Sequence, residues 1–196
     1  MRLAIADPPY LGRANRYYGD GCGYGYGEGR ADSHPEASKW DLVETHWQLV
    51  DELEANYDGW AIALSVHSLS QYLTKIETDS RNGIRVMAWH KPASVPSGNR
   101  VGSYWEPVIV RIPASRKGWG KGKKTKDVLI ANPNRIGFVG SKPIEWTYWI
   151  LDVLGYEQGD EVIDLFNGSG AVNKAIQQYE REQSGNQGSK SETSGD

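Results

Sequence analysis

The sequence has little cysteine, no excess of positive charge and no long apolar run. Its 196 residues include one cysteine, Cys22, which excludes a disulfide within the chain and favours a reducing compartment. No apolar stretch has membrane-spanning length and no signal peptide precedes the first apolar run, so we expect a cytoplasmic protein without membrane contact. The formal net charge of −3 excludes a uniformly basic nucleic-acid binder, so any such contact must come from a local patch.

The histidines lack the spacing of a metal site. His34, His46, His67 and His90 share no ligand spacing with one another or with Cys22, so no metal is expected. The hydrophobic content of 38% suits one domain with a real core, which we place at residues 1–182. Residues 183–196 are polar and rich in Gly and Ser, which predicts a disordered tail.

The stretch from Leu3 to Tyr10 is an apolar run that ends in an acid, two prolines and an aromatic residue. A strand cannot continue through Pro8 and Pro9, because proline supplies no ladder N–H group and fixes φ. Asp7 and Tyr10 are therefore expected at the carboxyl end of a strand, where open α/β sheets bind their ligands.

Asp7-Pro8-Pro9-Tyr10 resembles the catalytic motif of the methyltransferases that use S-adenosylmethionine (SAM) to methylate the exocyclic amine of adenine or cytosine. The resemblance implies catalytic roles for all four residues. Asp7 and a backbone carbonyl of the proline kink would accept the two amine hydrogens and direct the nitrogen lone pair at the methyl group. The ring of Tyr10 would stack on a base flipped out of the duplex.

Alternating strand and helix patterns follow along the chain. A helix is predicted up to about Tyr57, with His46 packed on or beside its apolar face. A strand from Trp60 to Val66 and a second helix carrying Leu69 to Ile76 are predicted to follow. The next strand, Ile84 to Trp89, completes a pattern that predicts a parallel sheet covered by helices.

Trp89-His90-Lys91-Pro92 closes that strand, and Tyr104-Trp105-Glu106-Pro107 leads into another, Val108 to Ile112. The pair resembles the antiparallel hairpin of the same family, which implies that Trp89 and Lys91 border the target-base pocket. Tryptophans packed in the core at strand ends would give the same pattern.

Two segments are candidates for contact with nucleic acid. Glycine occupies every second position from Gly19 to Gly29, among tyrosines and between Arg13, Arg16 and Arg30; this predicts either a loop that closes over substrate or a flexible surface linker. Residues 113–140 contain a basic loop, which we interpret as a short target-contacting insertion or a solvated turn. Its proposed contact residues are Arg116, Lys117, Trp119, Lys121, Lys123 and Lys124.

The last third of the chain resembles the cofactor half of the family. Ser141-Lys142-Pro143 begins a helix that Gly155 would end, a strand from Val162 to Phe166 follows, and the run Asp164 to Gly170 (Asp-Leu-Phe-Asn-Gly-Ser-Gly) leads into a helix ending near Arg181. This run resembles the SAM motif, and Ser141 to Pro143 resembles the segment that touches the methionine end of the cofactor. The cofactor residues so implied are Ala6, Asp7, Lys142, Asp164, Phe166, Gly168, Ser169 and Gly170.

The order of the motifs, catalytic first and cofactor last, resembles that of the circularly permuted β-group DNA amino-methyltransferases and of MT-A70-type adenine methyltransferases. The resemblance covers Met1 to about Arg181. It implies a Rossmann-like α/β fold with the Val162 strand beside the Leu3 strand and an antiparallel hairpin at one edge. Two βα units of the full family are missing, including the acid that holds the cofactor ribose. The sheet is therefore expected to be short, as in a small phage-type member, and a homodimer or a partner subunit could complete the cofactor site.

The resemblance implies a SAM-dependent methyltransferase acting on DNA adenine N6. Cytosine N4 and RNA adenine N6 are alternatives within the same chemistry. A catalytically inactive nucleic-acid-binding or regulatory subunit is an alternative of another class.

Overall fold

The computed structural model describes residues 1–19, 35–76, 83–93, 101–118, 120–134 and 141–188. The predictions for Cys22, Arg30, His34, Trp119 and most of the glycine-rich segment lie outside these residues. The strands are β1 (Arg2–Ala6), β2 (Gly59–Ala63), β3 (Ile84–His90), β4 (Trp105–Arg111), β5 (Val128–Ile130) and β6 (Glu161–Asp164). The α-helices are α1 (Ala14–Tyr18), α2 (Val43–Asn56), α3 (Leu69–Lys75), α4 (Ile144–Leu154) and α5 (Ala171–Gly188), and short 3₁₀ helices span Ala37–Asp41 and Val66–Ser68.

The six strands form one sheet in the order β5-β3-β4-β2-β1-β6. β1 pairs in parallel with β2 on one side and with β6 on the other, and the pairing with β6 confirms that the Val162 strand lies beside the Leu3 strand. The hairpin of β3 and β4 is also confirmed, and β4 is the strand that runs against the others. β4 lies between β2 and β3, so those two parallel strands are not adjacent, and only the short β5 lies outside the hairpin.

Helices cover both faces of the sheet. On one face, Leu3, Ile5 and Trp89 pack with α4 and α5, where Trp146 is completely buried. On the other face, Ala4 and Ile62 pack with α2 and α3. Two apolar layers of this kind require β1 and β2 to be buried on both sides, which accounts for their nearly continuous apolar sequences.

Several boundaries differ from the sequence prediction. β2 ends at Ala63, before Val66, because the side chain of Ser65 accepts a hydrogen bond from the backbone N–H of Ser68 and starts a 3₁₀ turn. α4 ends at Gly155 as predicted, with a φ of 70° that favours glycine. α5 continues to Gly188 rather than ending near Arg181, so residues 183–188 of the predicted disordered tail are helical, and residues 189–196 lie outside the described part.

His46 is packed, as expected from its place on the apolar face of α2. Its ring nitrogens lie 2.6 Å from the hydroxyl of Tyr72 and 2.7 Å from the carbonyl oxygen of Trp40, and the residue is 1% exposed. Burial lowers its pKa, which keeps the ring neutral at neutral pH. Within the described ranges, no group of His, Cys, Asp and Glu is arranged to hold a metal ion. None of the helices described here is both long and apolar enough to cross a bilayer.

Candidate active site

Asp7 lies directly after β1, at the carboxyl end of a strand that has a parallel neighbour on each side, β2 and β6. Lys142, which immediately precedes Pro143 and α4, places its Nζ atom 2.8 Å from Oδ1 and 2.7 Å from Oδ2 of Asp7. The side chain of Lys142 is 2% exposed and that of Asp7 is 21% exposed. The two residues therefore form a largely buried ion pair between segments that are 135 positions apart in the sequence.

Aromatic rings surround the ammonium group of Lys142. Its Nζ atom lies 5.6 Å from the ring centroids of Tyr10 and Trp89 and 5.7 Å from that of Trp146. It also lies 3.3 Å from the hydroxyl oxygen of Tyr10. These ring faces favour a cation where little water reaches it.

A second ion pair continues from Tyr10. The Tyr10 hydroxyl donates a 2.8 Å hydrogen bond to Oε2 of Glu106, and Lys91 donates to Oε1 of the same carboxylate. We did not predict a site role for Glu106 from the sequence. The signal was the hairpin register, which puts Glu106 opposite Trp89, on the strand face that also carries Lys91.

Burial and the neighbouring charges shift the pKa values of the carboxylates in this network in opposite directions. Burial raises the pKa of Asp7, and Lys142 counteracts this effect. Burial alone would also raise the pKa of Glu106, but Lys142 and Lys91 lower it below its ordinary value. Burial and Glu106 raise the pKa of Tyr10, so its hydroxyl stays protonated and donates to Glu106.

The glycine turn after β6 lies beside this network because β6 is the neighbour of β1, with Asp164 in register with Ile5. Asp164 Oδ1 accepts a 3.2 Å hydrogen bond from the backbone N–H of Phe166. Its other oxygen is buried with no hydrogen-bond partner among the described residues. Burial raises the pKa of Asp164, and the charge of Asp7 raises it further.

The turn itself has the conformation that its glycines allow. Gly168 and Gly170 have φ values of 39° and 72°. A Cβ atom at Gly170 would meet only Oδ1 of Asn167, at 3.8 Å, so it would project into open space. Ser169 Oγ lies 3.4 Å from Ser141 Oγ, which joins the turn to the segment that carries Lys142.

No protein-family model matches the chain, and no curated protein matches its sequence. Solved structures do match its fold. The chain is similar to the crystal structure of M1.HpyAVI in complex with SAM, with a TM-score of 0.53 and 18% identity over 90% of this chain and 78% of that chain. It is also similar to the crystal structure of M1.HpyAVI, with a TM-score of 0.52 and 16% identity over 92% and 76% of the two chains.

The chain has the Rossmann-like methyltransferase fold. In such a fold, ligands bind outside the carboxyl ends of the parallel strands. The structure brings Ala6, Asp7, Tyr10 and Lys142 to that edge, together with the residues of the glycine turn, Asp164, Phe166, Gly168, Ser169 and Gly170.

The basic loop lies at the opposite edge. β4 runs against its neighbours, so it ends beside the first residues of β2 and β3, and the loop that follows starts there. The guanidinium of Arg116 is bound to Asp160 and Glu157, just before β6, and its side chain is 8% exposed. This position corrects the expectation that Arg116 contacts phosphate: the group is committed to a structural ion pair about one strand length, ~16 Å, from Asp7.

The other proposed nucleic-acid residues are divided between the two edges. Lys123 pairs with Asp152 of α4 near the basic loop, where Lys117, Lys121 and Lys124 are exposed. Trp89 and Lys91 do reach the active-site edge, but Trp89 is 3% exposed and the side chain of Lys91 is 11% exposed. The indole N–H of Trp89 donates to the carbonyl of Ala131. Both side chains are therefore largely buried under the site.

Arg13 precedes α1, and its backbone N–H donates to the carbonyl of Tyr10. The side chain of Arg16 lies outside the described part.

Proposed function

We propose that this protein is a SAM-dependent methyltransferase that acts on the exocyclic amine of a base in DNA, with adenine N6 as the target. The observation that carries the proposal is the juxtaposition of Asp7 and Tyr10, after β1, with the glycine turn after β6. An acceptor for an amine and a turn suited to a cofactor therefore share the carboxyl ends of two adjacent parallel strands. M1.HpyAVI, which has a similar fold, was solved with SAM.

The residues around the turn fit the methionine end of SAM. Lys142 is a buried cation, and the first turn of α5 contains no acidic residue and has N–H groups available for a carboxylate. The buried oxygen of Asp164 has no hydrogen-bond partner among the described residues and would accept from an ammonium group. When bound, SAM supplies an electrophilic methyl group on its sulfonium sulfur.

The residues of the chain orient the amine and remove its proton. Asp7 would accept one N–H of the amine, and a carbonyl of the Pro8-Pro9 kink would accept the other, which would leave the nitrogen lone pair free to act as the nucleophile. The Tyr10 ring provides a stacking face for the flipped base. An amine nitrogen that has gained a methyl group is acidic, and Asp7 would take the proton that it loses.

One observation favours a second candidate. β6 is the outermost strand of the six-stranded sheet, and no further strand pairs with it in the described ranges. In the amino-methyltransferase family that the chain resembles, further βα units supply the acid that binds the cofactor ribose, and these units are not found among the described residues. A regulatory subunit that keeps the fold without turnover would have this form. The same feature is compatible with an active enzyme whose cofactor site is completed by a second copy or a partner subunit.

Mass spectrometry of nucleosides tests the proposal. DNA and RNA are incubated with the protein and methyl-labelled SAM, digested, and analysed for labelled N6-methyladenosine and N4-methylcytidine in their deoxy and ribo forms. We expect label in N6-methyldeoxyadenosine, and none with Asp7→Asn. Label in a different nucleoside would reassign the substrate, and no label in any nucleoside would favour the regulatory candidate.

A further inference from the structure

The short helix α1 is joined directly to the catalytic segment. The chain turns between the two, and the turn is closed by a 2.9 Å hydrogen bond from the backbone N–H of Arg13 to the carbonyl oxygen of Tyr10. Gly12 lies within this turn with a φ of 72°, a value that favours glycine. Because the turn is compact, α1 starts at the same edge of the sheet as Asp7.

One face of α1 is directed toward the protein. Ala14, the first residue of the helix, is completely buried. Tyr18 follows four residues later, so one helical turn brings its half-buried side chain to the same face. Burial raises the pKa of Tyr18, and the charge of Asp7 raises it further. The inward face of α1 therefore presents an aromatic ring near the carboxylate that would bind the amine.

A helix of five residues needs support from elsewhere, because so short a helix is not stable alone in water. Arg13 occupies its N-cap position, and an arginine side chain has no oxygen that could accept from the helix. Asp41 supplies the cap: Oδ1 accepts a 2.9 Å hydrogen bond from the backbone N–H of Ala14, and Oδ2 accepts a 3.0 Å bond from that of Asn15. One carboxylate thus satisfies two of the N–H groups that a helix leaves unpaired at its start.

Asp41 is the last residue of the 3₁₀ helix Ala37–Asp41, which is itself fixed on the protein. The carbonyl oxygen of Trp40 lies 2.7 Å from a ring nitrogen of the buried His46. The ring of Trp40 also packs edge-on against that of Phe166, with the ring centroids 5.0 Å apart. Asp41 therefore holds α1 from an element that lies outside the catalytic segment.

We infer that Tyr18 contacts the base whose amine binds Asp7, and that Asp41 is the positioning residue that keeps Tyr18 there by capping α1. This inference rests on the function proposed above and adds two residues to it. An aromatic ring beside the amine acceptor offers a flipped base a packing surface in addition to Tyr10. Loss of the cap lowers the fraction of molecules in which α1 is formed, and the apparent affinity for the target falls by the same fraction.

Steady-state methyl transfer to unmethylated plasmid DNA tests the contact. Tyr18→Ala should lower kcat/KM for DNA by about 5- to 150-fold, as for the loss of one stacking ring, whereas Tyr18→Phe keeps the ring and should lower it by less than about 2-fold. Calorimetry with S-adenosylhomocysteine should show the native affinity in both variants. An unchanged kcat/KM in Tyr18→Ala would overturn the inference.

The same assay tests the cap. Asp41→Ala should raise the KM for DNA by about 2- to 30-fold, the effect of losing an N-cap side chain, and leave kcat at saturating DNA unchanged. Asp41→Asn keeps one acceptor oxygen and should raise KM less. Asp58→Ala is the matched control, because Asp58 also accepts a backbone N–H, that of Arg2, but at the opposite edge of the sheet. It should change neither kinetic constant.

A double variant tests whether the two residues act together. If Asp41 acts through Tyr18, Asp41→Ala should raise KM by less than about 2-fold in a protein that already carries Tyr18→Ala. A full additional increase would overturn the positioning role, as would an unchanged KM in Asp41→Ala or equal weakening of DNA and S-adenosylhomocysteine. If the native protein binds DNA but labels no nucleoside, the proposed function fails, and the same comparisons made on DNA affinity by fluorescence anisotropy decide the inference. If it binds no DNA, both fail.

Discussion

Asp7 has a structural role as well as the proposed catalytic one, because it is the counter-ion of a buried lysine. Asp7→Asn keeps the size of the side chain and removes its charge. We expect no detectable methyl transfer and a free energy of unfolding lower by about 1–3 kcal/mol, since the buried Lys142 loses its ion pair with the carboxylate of Asp7. Nucleoside mass spectrometry and urea unfolding measure the two effects.

The double variant Asp7→Asn/Lys142→Met separates these roles. Replacing both members of a buried pair also removes the cation that Asp7 neutralises, so most of the lost stability should return while methyl transfer stays absent. A double variant as unstable as the single one would show that Lys142 does not depend on Asp7. Turnover by Asp7→Asn alone would remove Asp7 from the chemistry.

Tyr10 contributes a ring and a hydroxyl, and two substitutions distinguish them. Tyr10→Phe keeps the stacking face and loses the hydrogen bond to Glu106, so we expect turnover to fall less than about 10-fold. Tyr10→Ala loses a stacking contribution of about 1–3 kcal/mol, which corresponds to roughly 5- to 150-fold. Tyr148→Phe, which loses a comparable bond to Glu182 on the helical face, is the control and should leave turnover unchanged. Steady-state kinetics with equal losses for Phe and Ala at position 10 would exclude stacking.

At the scale of elements, the glycine turn between β6 and α5 is the part of the fold that permits close backbone approach. Gly170→Ala should lower stability by about 1–2 kcal/mol, because its φ of 72° is unfavourable for alanine. It should also weaken SAM binding, since the added carbon projects into the open space beside the turn. Gly159→Ala is the control: its φ is 94°, and it lies before β6, at the other edge of the sheet. Calorimetry should detect loss of SAM affinity only for Gly170→Ala.

We expect opposite results for the basic loop and for the α1 segment when their charges are removed and DNA affinity is measured. Lys117, Lys121 and Lys124 lie on the basic loop, at the edge of the sheet that is remote from Asp7. Arg116, in the same loop, is bound to Asp160. We expect their joint replacement by Gln to leave the salt dependence of DNA affinity unchanged. Arg13→Gln should reduce the slope of log affinity against log salt by about 0.9, as for one lost phosphate contact on duplex DNA. A flattened slope in the lysine variant would place DNA on the loop as well.

At the scale of the whole molecule, Asp160 joins three parts of the chain. Its carboxylate accepts from Arg116, from the amino group of Met1 and from the backbone N–H of Glu157, and these contacts lower its pKa to about 2. Because the folded-state pKa lies below the ordinary value of 3.8, the stabilisation is complete above about pH 4 and is lost as the pH falls toward 2. Asp160→Asn should lower stability at pH 7 and weaken its fall between pH 4 and pH 2, as measured by urea unfolding. An unchanged acid transition would mean that the cluster contributes nothing to stability.

Local pattern predicted the elements, and the resemblance to the amino-methyltransferases predicted which motifs share an edge of the sheet. The apolar run ending at Pro8 defined β1, and the glycine turn defined the start of α5, because both signals lie within a few consecutive residues. The pairing of Lys142 with Asp7 and the role of Glu106 depend on contacts between distant segments, which periodicity does not encode. The position of Arg116 was missed for a related reason: composition marks a loop as basic, but whether a charge meets solvent or Asp160 depends on the direction in which β4 runs.

The pairing of β1 with β6 also constrains how the chain folds as it is made. The segments joined there include Met1 and Asp160, which are 159 positions apart. At a synthesis rate of roughly 5–20 residues per second, β1 waits about 8–30 s for the strand that covers one of its edges. Contacts of such high sequence separation slow folding, and an unpaired apolar strand is a site of aggregation during that interval. Synthesis of β6, rather than emergence of the first strand, is therefore the earliest point at which the cofactor edge of the sheet can be complete.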